Sequence, residues 1–289
     1  MTAVRIAVVS DTHLTPRAPA FADNWTAARA WIDTVAPDLA VHLGDITADG
    51  EHDPLELEAA RALFDGVGPS MRFLPGNHDI GDNPIAPGVV PEHPVDPLRL
   101  ADYRRVFGPD RWSVRAGVWQ IIGLNAQLLG TDGEEEEAQF RWLDDELARG
   151  TGPVVLMLHK PLFRNGPGDA EAHGRYVPSA PRRRLLVALA ARELRLVLSG
   201  HVHQSRRLAV GPVEHVWVPS TACCLPDAIQ ERLGDKVVGV ALLELDDRGH
   251  RVECLTPPGV VRHNILDQPQ IYPKYAELRA TLGDRAALP

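Results

Sequence analysis

The chain has 289 residues, of which 44% are hydrophobic and 24% charged, enough to bury a full core in one large α/β domain. The formal net charge of −9 argues against general nucleic-acid or anionic-membrane binding, which need a basic surface, although two bound divalent cations would add about +4 where carboxylates cluster. Three cysteines (Cys223, Cys224, Cys254) provide no disulfide framework, no apolar stretch approaches a membrane span, and Met1–Ser10 lacks the long apolar region and cleavage site of a secretory signal, so a soluble, cytoplasmic protein is expected.

Val4–Val9 reads as a buried strand, and Asp11-Thr12-His13 follows its end. Asn24–Val35 has helical spacing, with Trp25, Ala28, Trp31 and Ile32 on one face, and Pro37 stops it. Leu39–Leu43 is a second strand, followed by Gly44-Asp45; Leu55–Phe64 reads as a helix. Met71–Leu74 is a third strand, followed by Pro75-Gly76-Asn77-His78-Asp79. Ile80–Leu98 is a long loop rich in Pro, Gly and Asp, and Leu100–Phe107 a short helix. Trp112–Arg115 and Val118–Leu124 form a hairpin about Ala116-Gly117. Ala138–Arg149 is a helix preceded by the acidic run Glu134–Glu137. Val154–Leu158 is a strand ending in His159, Phe163–Val177 a second long loop, and Arg183–Arg192 a helix. Leu194–Leu198 is a strand leading to Gly200-His201-Val202-His203. Val213–Pro219, Val237–Leu245 and Arg251–Leu255 are further strands, and an irregular tail from Pro257 holds a short helix at Lys274–Leu282. The βαβ rhythm of the first half and the strand-rich second half predict an α/β four-layer αββα sandwich: two mixed sheets face to face, flanked by helices. The expected organisation is one domain over 1–256 and a C-terminal extension over 257–289 that covers the site or mediates a dimer.

A pair of cations needs carboxylate, imidazole and amide-oxygen ligands, and a shared carboxylate lets the two sit about 3.5–4 Å apart. The chain offers such groups as Asp11-x-His13, Gly44-Asp45, Gly76-Asn77-His78-Asp79, His159 and Gly200-His201-x-His203. Each follows a predicted strand, and in open α/β sheets sites form at the carboxyl ends of strands. A single piece of this kind arises by chance; the ordered set does not.

This ordered set resembles the calcineurin-like metallophosphoesterase superfamily, over about two-thirds of the chain from His13 to His203. The resemblance implies that Asp11, His13, Asp45 and His203 bind one metal and that Asp45, Asn77, His159 and His201 bind the other, with Asp45 bridging. The mixed nitrogen and oxygen donors suit two divalent or trivalent ions drawn from Mn, Fe, Zn and Co. The resemblance also implies in-line attack on a phosphoester by a hydroxide held between them. His78 is similar to the family's non-ligand histidine beside the attacked phosphate, so His78, Asp45 and Asn77 are the expected catalytic set. Many relatives carry an acid three residues beyond the bridging Asp; this chain has Ala48 there, leaving Asp49 or Asp79 to orient His78. The motif set is similar to class III cyclic-nucleotide phosphodiesterases and related glycerophosphodiesterases. The V-D-R-G run of Ser/Thr protein phosphatases and the iron-ligating Tyr of purple acid phosphatases are missing. A small phosphodiester is therefore the expected substrate. A phosphomonoester, a nuclease role and a non-catalytic scaffold are the alternatives, and a homodimer is the family's common assembly.

Other residues have plainer readings. His42 lies inside a strand and reads as a core histidine. His93, His173 and His215 read as surface or loop residues, although His173 and Arg164, on the loop after His159, could reach substrate. Cys223 and Cys224 read as buried thiols, the six tryptophans as packing residues, and Arg182-Arg183-Arg184 as a solvated helix start.

Overall fold

β1 (Val4–Val9) divides its side chains between two cores: Ile6 and Val8 face one side, Ala7 and Val9 the other, all fully buried. That alternation is what a strand in the middle of a covered sheet requires. The computed structural model of the protein describes residues 3–86, 88–170 and 172–289. β1 is central to a five-stranded sheet. β2 (Leu39–His42) pairs parallel to it and β3 (Met71–Phe73) parallel to β2. On its other side β11 (Val240–Leu245) and β12 (His250–Leu255) continue antiparallel, giving the order β12-β11-β1-β2-β3.

The second sheet has six strands. β4 (Trp112–Ala116) and β5 (Trp119–Leu124) are the expected hairpin. β6 (Pro153–Leu158), β7 (Glu193–Ser199) and β9 (Val213–Trp217) run parallel to β5, and β8 (Arg206–Val210) closes the edge antiparallel to β9. The sheets pack face to face through Ile6, Val8, Val41 and Leu243 of the first and Ile121, Val155, Met157, Leu196 and Leu198 of the second. Outside the first sheet lie α1 (Pro19–Val35), α2 (Pro54–Leu63) and α4 (Pro97–Phe107). They bury Trp25, Ile32, Leu57, Leu100 and Tyr103 against Ala7, Val9 and Ala40. Outside the second lie α5 (Glu134–Arg149) and α6 (Ser179–Leu189), which pack Phe140, Leu143, Leu185 and Leu189 against Ile122, Leu156 and Val197. This is the four-layer αββα sandwich that the alternation of elements predicts.

Several boundaries differ for local reasons. α1 starts at Pro19, five residues earlier than the apolar spacing indicates, because proline in the first turn costs no helical hydrogen bond. The four glutamates of Glu134–Glu137 form the first turn of α5, where the helix dipole favours negative charge. α6 starts at Ser179 behind Pro178, and Arg182 is not solvated: it is buried and donates to the Leu162 and Val177 carbonyls at 3.1 and 3.4 Å. β8 escapes the sequence reading because Arg-Arg-Leu-Ala-Val has no continuous apolar run; it is an edge strand. His215 is not a surface residue. It lies buried on β9 with its ring 4.6 Å from that of Phe163, and burial pushes its pKa down to about 4. His42 is a core histidine as expected, and Cys223 and Cys224 are buried thiols.

The tail holds β13 (His263–Asn264) and α7 (Lys274–Leu282). β13 pairs in parallel with β10 (Cys223–Cys224), outside both large sheets. Ile265, Leu266, Ile271 and Ala286 pack with Ala18, Phe21, Ala48, Ala222 and Cys223, so the tail has its own apolar seat on the body. Among the described residues, no helix is long and apolar enough to cross a membrane.

Leu196 has no exposed surface and joins both sheets through the central core. Leu196→Ala is expected to cost about 2–5 kcal/mol. Chemical denaturation should show a lower midpoint with an unchanged slope, and an unchanged midpoint would contradict the face-to-face packing.

Candidate metal centre

Each motif lies just beyond the carboxyl end of a strand. β1 delivers Asp11 and His13, β2 delivers Asp45, and β3 delivers Asn77 and His78 on the single-turn α3 (Asn77–Ile80). From the second sheet, β6 delivers His159 and β7 delivers His201 and His203. The face-to-face packing brings these ends to one edge of the sandwich, where all seven expected ligands meet.

The backbone there is unusual. Asp11, His13, Asp45, His201 and His203 all have left-handed φ, between 44° and 66°. Such a conformation turns the chain sharply after a strand and aims the side chain inward. It costs of order 1–3 kcal/mol for a non-glycine residue, less for Asp and His, and persists only where the surroundings enforce it. Hydrogen bonds supply that enforcement. Asp11, His13 and Leu14 donate their N–H groups to the carbonyls of Gly44, Asp45 and Ile46 at 3.0, 3.1 and 2.8 Å, zipping the first two ligand loops together. The buried Asp79 carboxylate accepts from the N–H groups of Ile46, Thr47 and Gly76 at 3.1, 2.9 and 2.8 Å, clamping the second loop to the third. Two glycines permit the approach. Gly44 has φ +114°, and a Cβ on it would lie 2.6 Å from the Gly76 nitrogen and 2.8 Å from His159 Nδ1. A Cβ on Gly76 would overlap the Asp45 carboxylate.

Asp45 sits at the middle. Its Oδ1 accepts from the His78 N–H at 2.9 Å, and its Oδ2 lies 3.3 Å from His159 Nε2 and 3.8 Å from His13 Nε2. Asp11, His13 and His203 form one cluster of donors and Asp45, His159 and His201 another, and a third group, His13, Asp45 and His78, links the two. Within each of the first two, two imidazole nitrogens face one another at 3.1 Å: His13 Nε2 with His203 Nε2, and His159 Nε2 with His201 Nδ1. The far nitrogens are engaged, since His203 Nδ1 donates to the Cys223 carbonyl at 2.9 Å and His159 Nδ1 to the Leu43 carbonyl at 3.2 Å. A protonated His159 can place its Nε2–H on His201 Nδ1, and once that proton is lost the inward nitrogens offer lone pairs that a cation would take. Asn77 Oδ1 is buried with no hydrogen-bond partner among the described residues, as a carbonyl oxygen reserved for a metal would be. The donors are mixed nitrogen and oxygen, and they fit two cations sharing Asp45.

The charges agree. Burial would raise the Asp45 pKa, but the neighbouring His159 and His78 rings hold it well below the usual carboxylate range. Burial would lower His159, but Asp45 pushes it up to about 9. Burial holds His13 and His201 well below the ordinary histidine value, so both are neutral and ready to donate lone pairs.

His78 donates Nδ1–H to the carbonyl of Ala48 at 2.9 Å, and its ring stands edge-on to His13 with centroids 4.9 Å apart. The orienting partner is therefore the main chain of Ala48, and neither Asp49 nor Asp79, the two expected candidates, serves. Asp49 pairs with Arg17 at 2.8 Å and with His52 at 2.7 Å, and Asp79 is occupied by its clamp. Arg164 ion-pairs with Glu231, and His173 Nδ1 accepts from the Arg175 N–H at 3.1 Å. Both line a side pocket with Asn165, Asp169, Tyr176 and Arg182.

Three further groups support the site without a motif to announce them. Lys160, buried beside His159, bonds Asp82 and, at 2.6 Å, Asn83 Oδ1. Gln127, with its amide oxygen toward α3, accepts from the Asn77 N–H at 2.9 Å and donates to Asn83 at 3.2 Å. Tyr272, from the tail, places its hydroxyl 3.1 Å from His13 Nδ1. The only signal for Lys160 was its place directly after His159; Gln127 and Tyr272 had none, because they reach the site from distant elements.

A two-sheet αββα sandwich with overlapping His/Asp clusters at one edge defines the scaffold of a dinuclear metallohydrolase. The chain belongs to the calcineurin-like phosphoesterase family, whose sequence model matches residues 4–205. It is thus a metal-dependent phosphoric ester hydrolase. It is 30% identical to a Synechococcus protein named "Probable cyclic nucleotide phosphodiesterase", over 75% of this chain and 80% of that one. It is 26% identical to a Nostoc 3',5'-cyclic-nucleotide phosphodiesterase, over 75% and 78%. A dimetal phosphatase from Danio rerio shares the fold with a TM-score of 0.59 and 14% identity, over 86% of this chain and 96% of that one.

Asp45 raises the His159 pKa to about 9 against the effect of burial, so a cation that took His159 as a ligand would have to displace its proton. Affinity for Zn²⁺, measured by chelator competition, should rise between pH 7 and 9 and then level off. A flat profile over that range would show that His159 is not a ligand.

Proposed function

We propose that the protein hydrolyses small phosphodiesters, cyclic nucleotides first among them, at a centre of two cations held by Asp11, His13, Asp45 and His203 on one side and Asp45, Asn77, His159 and His201 on the other. The observation that carries this reading is the position of Asp45 Oδ2 between His13 and His159, within two donor clusters drawn from both sheets. The names of the cyanobacterial relatives support the choice of a diester. The mixed nitrogen and oxygen donors suit Mn, Fe, Zn or Co.

Two cations in these positions supply activation of water near neutral pH and neutralisation of the phosphoryl oxygens. The chain's own contribution is placement. Asp45 holds the two donor clusters together and, through its Oδ1, anchors the first turn of α3. Asn77 turns its amide oxygen inward on that turn, backed by Gln127. Burial works against a charged His78 ring, but Asp45 and Glu51 raise its pKa, and in that imidazolium form, with Nδ1–H tied to the Ala48 carbonyl, its Nε2–H can hydrogen-bond a phosphoryl oxygen or pass to the departing alkoxide. A cyclic diester opens to a monoester, and that alkoxide is the atom that needs a proton. Burial of Asp11, Asp45 and His159 keeps bulk water from competing for the donors.

His78→Ala is expected to lower kcat by about 10²–10⁴-fold while leaving metal content, measured by elemental analysis, near that of the wild type. Protein reloaded with each metal should cleave bis(p-nitrophenyl) phosphate and 3',5'-cyclic AMP faster than p-nitrophenyl phosphate. Faster cleavage of the monoester would overturn the diester reading in favour of a phosphomonoesterase.

A further inference from the structure

The two histidines of the Asp11 cluster differ in what holds them. His13 and His203 turn Nε2 toward each other, His203 Nε2 lying 3.5 Å from Asp11 and His13 Nε2 3.8 Å from Asp45. Their Nδ1 atoms therefore face outward. His203 Nδ1 meets a main-chain carbonyl, that of Cys223. His13 Nδ1 meets a side chain, the hydroxyl of Tyr272 at 3.1 Å, from a residue 259 positions along the chain.

The Tyr272 hydroxyl is held in place rather than resting there loosely. The Tyr272 ring stands edge-on to His13 at 6.5 Å and to His78 at 5.6 Å, with Tyr275 behind it at 5.4 Å. The neighbouring Ile271 is buried in the tail's apolar seat with Phe21, Ala48, Cys223 and Leu266. The parallel pairing of β13 with β10 ties the same tail to Cys223, whose carbonyl receives His203. One small unit outside the two large sheets thus supplies the outer partners of both histidines in the Asp11 cluster. The other cluster draws on the main body: His159 Nδ1 donates to the Leu43 carbonyl at the end of β2.

We propose that Tyr272 is a positioning residue for His13, and that through it the C-terminal tail completes one of the two cation sites and not the other. The Tyr272 oxygen accepts the Nδ1–H of His13. That fixes the tautomer with the lone pair on Nε2 and fixes the ring's tilt toward Asp45 and His203. The inference rests on the two-cation reading above and goes beyond it by making the two sites unequal. Loss of an outer partner of a metal-binding histidine costs about 10–100-fold in affinity, and here the loss should fall on the Asp11-side cation alone.

The test uses the full-length chain, stripped of metal and titrated with Mn²⁺ by calorimetry and electron paramagnetic resonance. Wild type should take up two ions and show a spin-coupled pair at saturation. Tyr272→Phe keeps the ring and its packing and removes only the oxygen. It should bind one ion as wild type does and the other about 10–100-fold more weakly, so that the signal at intermediate Mn²⁺ is that of an isolated ion. Tyr275→Phe, in the same apolar seat, should leave both affinities unchanged, and the metal-free melting temperature should be the same in all three proteins. Equal affinities in Tyr272→Phe and wild type would overturn the proposal. So would parallel weakening of both sites with a lower melting temperature, the mark of a merely structural role. A wild type that binds fewer than two ions would instead overturn the two-cation reading, and a result on the wild type alone distinguishes that failure.

Discussion

A carboxylate buried among imidazoles from two different sheets is the constraint on which the rest of this molecule depends. Asp45 is only 2% exposed, and an ionised carboxylate so far from water survives only where charges and hydrogen-bond donors surround it. Its partners come from β1 and β3 in its own sheet and from β6 across the sandwich. Their approach requires Gly44 and Gly76 to lack side chains and requires left-handed backbone at five of the candidate donor positions. Packing the two sheets and building the site are therefore one problem. A shift of either sheet would separate Asp45 from His159.

The strained loops have a rigid backing. Each begins at the end of a buried strand, is zipped to its neighbour by main-chain hydrogen bonds, and in the first sheet is clamped by Asp79. The interlayer core of Ile6, Val8, Val155, Met157 and Leu198 lies along the same strands. Stability gained in that core offsets conformations that would be unfavourable alone.

Main-chain carbonyls orient three of the site's histidines: Leu43 for His159, Cys223 for His203 and Ala48 for His78. A carbonyl fixes a tautomer without adding negative charge, whereas a carboxylate would add a full one. These orienting partners thus add no formal charge to the pocket. His13 differs: its Nδ1 meets the hydroxyl of the Tyr272 side chain.

Much of this was legible without coordinates. Strands announce themselves as short apolar runs, and Asp11, His13, Asp45, Asn77, His159, His201 and His203 each follow one within a few residues, so local patterning marks both the fold class and the candidate donors. Element starts at α1, α5 and α6 were misjudged because proline and charge at a helix N-terminus interrupt the apolar spacing. The burial of His215 and Arg182, the carbonyl that holds His78, the Lys160–Asn83–Gln127 support of Asn77 and the reach of Tyr272 into the site were not legible. Each depends on contacts between segments far apart in the chain, and a linear pattern carries no information about which distant atoms will meet. The sequence by itself determined the donor chemistry, because ligand type and strand position are local properties. Only the tertiary structure decided how those donors are oriented, because orientation is set by whatever packs against their far side.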